Sequence, residues 1–536
     1  MHVLKLKINL ELNEMKKYKV CILSAGVGSR MGPLSENVSK SILPINFKAV
    51  ISHIIEKFDQ NTEFIIAVGH KKDTVINYIN LAHPESKITY VEIDKYIGPG
   101  SGPGYSLLAC KDFLKCPFVF FASDTIVLED IPDVDKNWFG ISPVKNAEQY
   151  CTVKIKDNLV IQIDDKIATN NKYAFIGLAG VKEHKIFFDS LENNTQPISG
   201  EIQVSNGFKS LLEHKLEPVG FTWFDTGTLE NFNNTNSHLS GDEKKFDFSK
   251  GDEFLYFVKD RVIKYFADEN ISDNRVKRAN LLSGLTPQIE NSVPNFYSYK
   301  KLEGNVLYDV LNDTILLNFL EWCKKKLWVE KTFADKVEKK IFEDACKKFY
   351  IDKTNQRLEK FFKKTSILDQ ETIINGRNTP SVKELFSKID WDHITDGIPC
   401  GFHGDLQFDN VLLQNNGEFR ILDWRQDFAG LIEYGDIYYD LAKLYGGMNL
   451  SYQAIKDNKF SFEMTSNEVF YRFSIDSNLM EAKDVFEKFI LDNGFDLKKI
   501  KVLTGIIYLN MSPLHHDPFD HFLFFLGKTM IHKTIN

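Results

Sequence analysis

The chain has 536 residues, 43% of them hydrophobic and 26% charged, with a formal net charge of −8. That length exceeds one hydrophobic core, so two or three domains are expected, and the acidic balance supplies no basic face for nucleic acid. Seven scattered cysteines without a CxxC pair argue against a disulfide framework or a zinc site and fit reduced thiols in a cytoplasm.

The first 17 residues alternate apolar and polar positions and contain acids, unlike a signal peptide. No run approaches the roughly 20 apolar residues that span a bilayer, so a cytoplasmic protein without membrane insertion is expected. From Tyr18 to about Ser237 the runs "KVCILSA", "EFIIAVG", "KITYVEI" and "PFVFFASD" are predicted strands. The helical patterns "AVISHIIEKF", "KDTVINYINLA" and "GYSLLACKDFL" fall among them. This alternation predicts an α/β domain over residues 1–240, Rossmann-like, with a mainly parallel sheet. The polar stretch around residues 241–252 reads as a linker. Beyond it, residues 253–536 open with a β-rich portion to about 310 and continue as a mostly helical portion.

Ligands of such sheets bind beyond the carboxyl ends of the strands. "SAGVGSR" lies there, and Ser24, Ala25, Gly26, Gly28 and Ser29 are candidate nucleotide contacts. Glycines let backbone N–H groups approach a phosphate, and Arg30 adds a permanently charged donor fork. No GK[ST] follows, which argues against a P-loop. Lys40 precedes the apolar run "SILPI" and can reach the same strand end. Asp124 in "FVFFASDT" and Asp225 in "GFTWFDTGT" end apolar strands, where a carboxylate needs a cation or donors. Together they suggest Mg²⁺ holding a triphosphate.

These stretches resemble the sugar-1-phosphate nucleotidyltransferase family, which includes glucose-1-phosphate thymidylyltransferases. "SAGVGSRM" is similar to its GxGxR signature, "VSKSILPI" to its lysine-proline segment and "WFDTGT" to its late metal-aspartate motif. "AFIGLAG", with Gly177, and "GEIQVSNGF", with Glu201, are similar to its sugar-contacting segments. The resemblance implies Arg30 and Lys40 as catalytic residues, Asp124 and Asp225 as Mg²⁺ ligands, and Gly177 and Glu201 on the sugar. Gly102 falls in the loop that holds the base. That loop, "IGPGSGPGYSLLA", is richer in Gly and Pro than in common thymidylyltransferases, which leaves the base open.

The later stretch "GFHGDLQFDN" has the spacing of a phosphoryl-transfer site. A carboxylate, Asp405, precedes an asparagine, Asn410, by five residues, and Asp423 closes the run "FRILD". The pattern resembles the aminoglycoside phosphotransferase and choline kinase family. The resemblance implies an α+β, bilobal, protein-kinase-like domain with a small lobe over 253–310 and a large helical lobe over 311–536. Asp405 would be the catalytic base, Asn410 and Asp423 Mg²⁺ ligands, and Lys264 in "RVIKYF" the ATP-phosphate lysine. His403 is expected to support the loop, and Asp436 and Asp440 to be structural. The helix after the lysine strand, "DNRVKRANLLSGL", lacks the family's glutamate, with Glu269 the nearest substitute.

A kinase and a nucleotidyltransferase on one chain fit if the first product is the second substrate. The expectation is a bifunctional enzyme that phosphorylates a sugar with ATP and joins the sugar 1-phosphate to a nucleoside monophosphate from a second NTP, for surface polysaccharide synthesis. A choline- or ethanolamine-type kinase joined to a cytidylyltransferase for the phospho-amino alcohol stays open. So does a kinase-like regulatory domain without catalysis. Oligomeric state is open as well.

Overall fold

The computed structural model describes residues 18–240 and 251–536 except Ser199, Asn458 and Asn467. The N-terminal stretch 1–17 and most of the expected linker lie outside the described residues. The described chain divides into two compact units. One holds residues 18–240, 251–268 and 293–298; the other holds 269–292 and 299–536.

In the first unit a nine-stranded sheet is built from β1 (Lys19–Ser24), β2 (Glu63–Val68), β3 (Lys87–Glu92), β4 (Phe118–Ala122), β6 (Trp138–Pro143), β7 (Cys151–Lys156), β8 (Leu159–Asp165), β9 (Tyr173–Val181) and β10 (Glu217–Gly220). A short strand, β5 (Thr125–Val127), pairs antiparallel with β11 (Trp223–Asp225). The main path runs β8-β7-β9-β4-β1-β2-β3, with β6 on β9 and β10 on β6. The half β4-β1-β2-β3 is parallel, as the alternating pattern predicts. The sheet as a whole is mixed rather than mainly parallel, because β9 pairs antiparallel with β4, β6 and β7, and β7 with β8. From β6 to β9 successive strands are joined by short connections of the kind antiparallel pairs allow, whereas β10, reached through the long connection 182–216, pairs parallel with β6.

Strand periodicity sorts the core. Val20, Ile22, Phe64, Ile66, Val119 and Phe121 enter one apolar cluster, while Cys21, Leu23, Ile65, Ala67, Phe118 and Phe120 enter another. Alternate residues thus line opposite faces, both covered, which is why these strands read as continuous apolar runs. Helices α1 (Lys72–Ala82), α2 (Pro103–Ala109), α3 (His184–Asn193) and α4 (Leu229–Ser240) are the longest α-helices of the unit. The hairpin β12 (Glu253–Val258) and β13 (Arg261–Phe266), expected to open the second domain, packs into this core. Tyr256 lies 4.6 Å from Tyr78 of α1, ring to ring, and its hydroxyl donates to the Ile42 carbonyl at 2.9 Å. The Tyr265 hydroxyl donates to the Asn37 carbonyl at 3.0 Å.

The second unit is largely helical: α5 (Glu269–Leu281), α6 (Asp313–Trp322), α7 (Lys336–Lys347), α8 (Lys353–Thr365), α9 (Ile437–Asn449), α10 (Ser477–Asp492), α11 (Leu497–Met511) and α12 (Phe519–Ile535). A hairpin of β14 (Val411–Leu413) and β15 (Phe419–Ile421) interrupts them. Helix α9 is buried on all sides, including Asp440 and Lys443. Thr504 and Tyr508 of α11 donate to its Ala442 and Gly446 carbonyls at 3.1 and 2.7 Å. No helix among the described residues is long and apolar enough to cross a membrane.

Candidate active sites

In the first unit, β1 ends at Ser24, whose hydroxyl donates to that of Ser41 at 2.6 Å. The chain then turns through Ala25–Gly28. Gly28 has φ 71°, the left-handed conformation that favours glycine, and opens the short helix Ser29–Ser35. A Cβ placed on Gly26 meets no protein atom within 4 Å, so internal packing makes no demand for glycine there. Lys40 lies across the turn, its Cβ 3.3 Å from the Cβ position of Gly28.

The β5–β11 pairing sets Asp225 opposite Thr125, which brings it beside Asp124. The Thr226 N–H donates to the Asp124 carbonyl at 2.9 Å. Lys40 Nζ lies 2.5 Å from Asp124 Oδ2. A Cβ on Gly227 would lie 3.0 Å from Asp225 Oδ1, 3.3 Å from Asp124 Oδ2 and 3.4 Å from Arg30 Nη2. Arg30, Lys40, Asp124 and Asp225 therefore converge on one small space that a methyl group would fill. Two hard carboxylates with adjoining cationic donors match the chemistry of Mg²⁺ carrying a phosphate.

The two carboxyls differ. Burial opposes ionisation of Asp124, but Lys40, through its charge and hydrogen bond, and Arg30 hold it below the usual carboxylate range. Burial, and then the charge of Asp124, lifts Asp225 above that range, against donation from Gly227 N–H at 2.8 Å and Asn231 Nδ2 at 2.7 Å. Tyr150 interacts with the same group, and its ring stands 5.5 Å from Trp223. Gly177, at φ 76°, lies with its Cβ position 2.7 Å from Ala122 Cβ and 3.3 Å from Thr125 Oγ1, beside Asp124. Gly102 and Glu201 meet each other instead: the Gly102 Cβ position is 2.8 Å from Glu201 Cβ. Gly227, Asn231 and Tyr150 were not singled out from sequence. Gly227 was readable inside "WFDTGT"; Asn231 and Tyr150 carry no local signal.

In the second unit, register does the same work. Val411 pairs with Ile421, and the Leu422 N–H donates to the Asn410 carbonyl at 2.7 Å, so Asn410 and Asp423 share one hairpin end. Asn410 Nδ2 donates to the Asp405 carbonyl at 2.9 Å. The fully buried His403 accepts the Asp405 N–H at Nδ1, 3.2 Å, so Nε2 carries the proton and donates to the Leu422 carbonyl at 2.8 Å. Burial pushes this imidazole down to about 4, which keeps it neutral. Asp440 accepts the His403 and Gly404 N–H groups, both at 2.7 Å, and burial raises it to about 6. Asp436 caps α9 and accepts the Tyr350 hydroxyl at 2.7 Å.

The Asp405 carboxylate meets Lys443 Nζ at 2.7 Å. Burial opposes its charge, yet Lys443 holds it below the usual range. Asp423, at φ 58°, pairs with Arg275 of α5. Arg278, one turn on, donates to the carbonyls of Phe402, His403, Arg425 and Ile432. Thus α5 contributes arginines where a glutamate was sought, and Glu269 is exposed and forms no ion pair among the described residues. Lys264 is a buried residue of β13, within the first unit. Lys443 was missed, although a lysine inside the apolar pattern of α9 was the available signal.

Asp517, Asp520 and His521 also bring ligating atoms within 4.8 Å of one another. Asp520 already takes Lys364 Nζ at 2.9 Å, so the group has its counter-charge.

Residues 19–241 match the family described as nucleotidyl transferase. Over 227 residues the chain is 31% identical to the bifunctional protein GlmU of Methanococcus maripaludis, covering 41% of this chain and 53% of that protein. It is 26% identical over 246 residues to the low-salt glycan biosynthesis nucleotidyltransferase Agl11 of Haloferax volcanii, covering 42% of this chain and 67% of that protein. A solved UDP-glucose pyrophosphorylase complexed with UDP-glucose aligns at 18% identity and a TM-score of 0.37, over 42% of this chain and 99% of its own. The N-terminal domain is similar to sugar-1-phosphate nucleotidyltransferases, and the chain spans about half the length of the first of these relatives.

Proposed function

We propose that the first unit transfers a nucleoside monophosphate from an NTP to a sugar 1-phosphate, releasing pyrophosphate. The observation that carries this reading is the convergence of Arg30, Lys40, Asp124 and Asp225 around Gly227. An oxygen of the anomeric phosphate attacks the α-phosphorus of the NTP; the α–β bridging bond breaks, and pyrophosphate leaves with its electron pair. Arg30 holds the leaving pyrophosphate, and Lys40 exchanges Asp124 for the reacting phosphates. Asp124 and Asp225 would hold Mg²⁺, whose contribution is neutralisation of phosphate charge. The turn Ser24–Ser29 presents backbone N–H groups to the NTP, and the chain's part is chiefly alignment and electrostatics. Pyrophosphate release with Mg²⁺, four NTPs and a panel of sugar 1-phosphates tests the reading; no turnover with any pair sinks it.

The second unit, in the same reading, phosphorylates the sugar at its anomeric hydroxyl with ATP. Asp405 accepts the hydroxyl proton as the oxygen attacks the γ-phosphorus and ADP leaves. Asn410 and Asp423 would hold Mg²⁺, whose contribution is neutralisation of phosphate charge. The hairpin register that sets Asn410 beside Asp423, with Asp405 bonded to Asn410, supports this assignment. One observation favours a second reading, a kinase-like domain that binds nucleotide without catalysis: Arg275 already pairs with Asp423. ATP binding by the wild type with no ADP formed from any acceptor decides for that second reading.

A further inference from the structure

The segment Lys348–Asp352 runs directly into α8, which sets Phe349 and Lys353 four residues apart on one helical face. Lys353 Nζ lies 3.9 Å from the Phe349 ring centroid, and the Arg425 guanidinium lies 5.1 Å from the same centroid. Arg425 in turn sits against the turn that carries Asp405. Its N–H donates to the His403 carbonyl at 3.0 Å, and its Cβ is 2.6 Å from the Cβ position of Gly404. Lys443, on α9, reaches Asp405 itself at 2.7 Å. Three cations from three elements thus crowd the loop of the candidate base.

Lys443 is balanced by Asp405, but the other two are not balanced from within. Among the described residues neither Lys353 nor Arg425 forms an ion pair. Arg425 Nε donates to the Asp427 carbonyl at 3.1 Å rather than to its carboxylate. Burial, then repulsion from Arg425, Arg357 and Lys443, drives the Lys353 ammonium well below its ordinary value, with Asp427 the opposing charge. Like charges packed together in a desolvated site repel one another until an anion joins them. The same arrangement repels an ammonium, which the acceptor of a choline-type kinase would carry.

We propose that the acceptor phosphorylated at the second site carries an anionic group, a carboxylate or a phosphate, besides its reacting hydroxyl, and that Lys353 and Arg425 bind that group. The proposal deepens the kinase reading and rests on it. Arg425 supplies the planar fork for two oxygens and Lys353 a point charge, while Lys443 stays with Asp405.

The test measures ADP formation by the full chain with glucose, glucuronate, glucose 6-phosphate and choline, in wild type, Lys353→Met and Arg425→Gln. The expected result is a preference of tenfold or more for an acidic sugar over glucose. Which acidic sugar wins separates carboxylate from phosphate. Lys353→Met should raise the KM for that acceptor at least tenfold and erase the preference, with the KM for ATP moving less than twofold. Turnover led by glucose or choline, or a variant that shifts only the KM for ATP, overturns the proposal. Failure of the kinase reading looks different: no acceptor yields ADP. Calorimetric titration with glucuronate and glucose 6-phosphate then decides alone. Binding weakened tenfold or more in both variants upholds the anion site, and binding that is equal or absent overturns it.

Discussion

Gly227 shows how little room the first site has. Its φ is not in the left-handed region, so alanine is tolerated by the backbone, yet the added methyl would press on Asp225 at 3.0 Å and Asp124 at 3.3 Å. Gly227→Ala is expected to lower pyrophosphate release roughly 10- to 100-fold, the scale of a small misplacement in an aligned site, with little change in melting temperature. His403 makes a residue-scale statement in the second unit. Its folded value of about 4 lies below the unfolded value near 6.5, so the unfolded chain binds the extra proton between those limits and stability falls as pH drops through that window. Asp440, raised to about 6, acts oppositely, because its stabilising proton is lost as pH rises towards 6. The comparison must therefore be between proteins. Relative to His403→Gln, the wild-type second unit should lose about 3 kcal/mol from pH 6.5 to pH 4 in denaturant unfolding. Parallel pH profiles for the two proteins would contradict this.

At the scale of elements, α5 is anchored through one side chain. Arg278 is almost fully buried, stacks 3.8 Å over the Phe402 ring and satisfies four carbonyls, while burial pushes it down to about 9. Arg278→Met would take the donor from the Phe402, Arg425 and Ile432 carbonyls, while the His403 carbonyl keeps the Arg425 N–H. It should cost about 3 kcal/mol or more in the second unit and expose α5 to faster hydrogen exchange. Elements were also where the sequence was most and least legible. The strands β1 to β4 and the helices among them follow from apolar runs and 3.6-residue patterns. The carboxylates at strand ends were visible because an acid closing such a run needs a partner. The antiparallel insertion of β9 beside β4 was not visible, since pairing is set by contacts between distant segments rather than by local pattern. Tyr150, Asn231 and Arg275 reach their sites the same way and left no local trace.

For the molecule as a whole, the division into units is interleaved in sequence: the hairpin at 253–266 joins the first unit's core through Tyr256 and Tyr265, then α5 begins the second. A linear reading by composition places a boundary near 253 because the polar stretch ends there, and it cannot see which core the following aromatics fill. The two proposed activities imply separable losses. Asp225→Asn should reduce pyrophosphate release about 100-fold or more while ADP formation persists, and Asp405→Asn should do the reverse. Equal loss of both activities in either variant would mean that the sites do not act separately.

The most direct measurement is pyrophosphate release by the full chain with Mg²⁺, crossing ATP, CTP, GTP and UTP or dTTP with hexose and heptose 1-phosphates, phosphocholine and phosphoethanolamine. Turnover with a sugar 1-phosphate, abolished by Asp225→Asn, is the predicted result. Turnover confined to CTP with a phospho-amino alcohol would contradict the account and assign the first unit to a cytidylyltransferase of another substrate class.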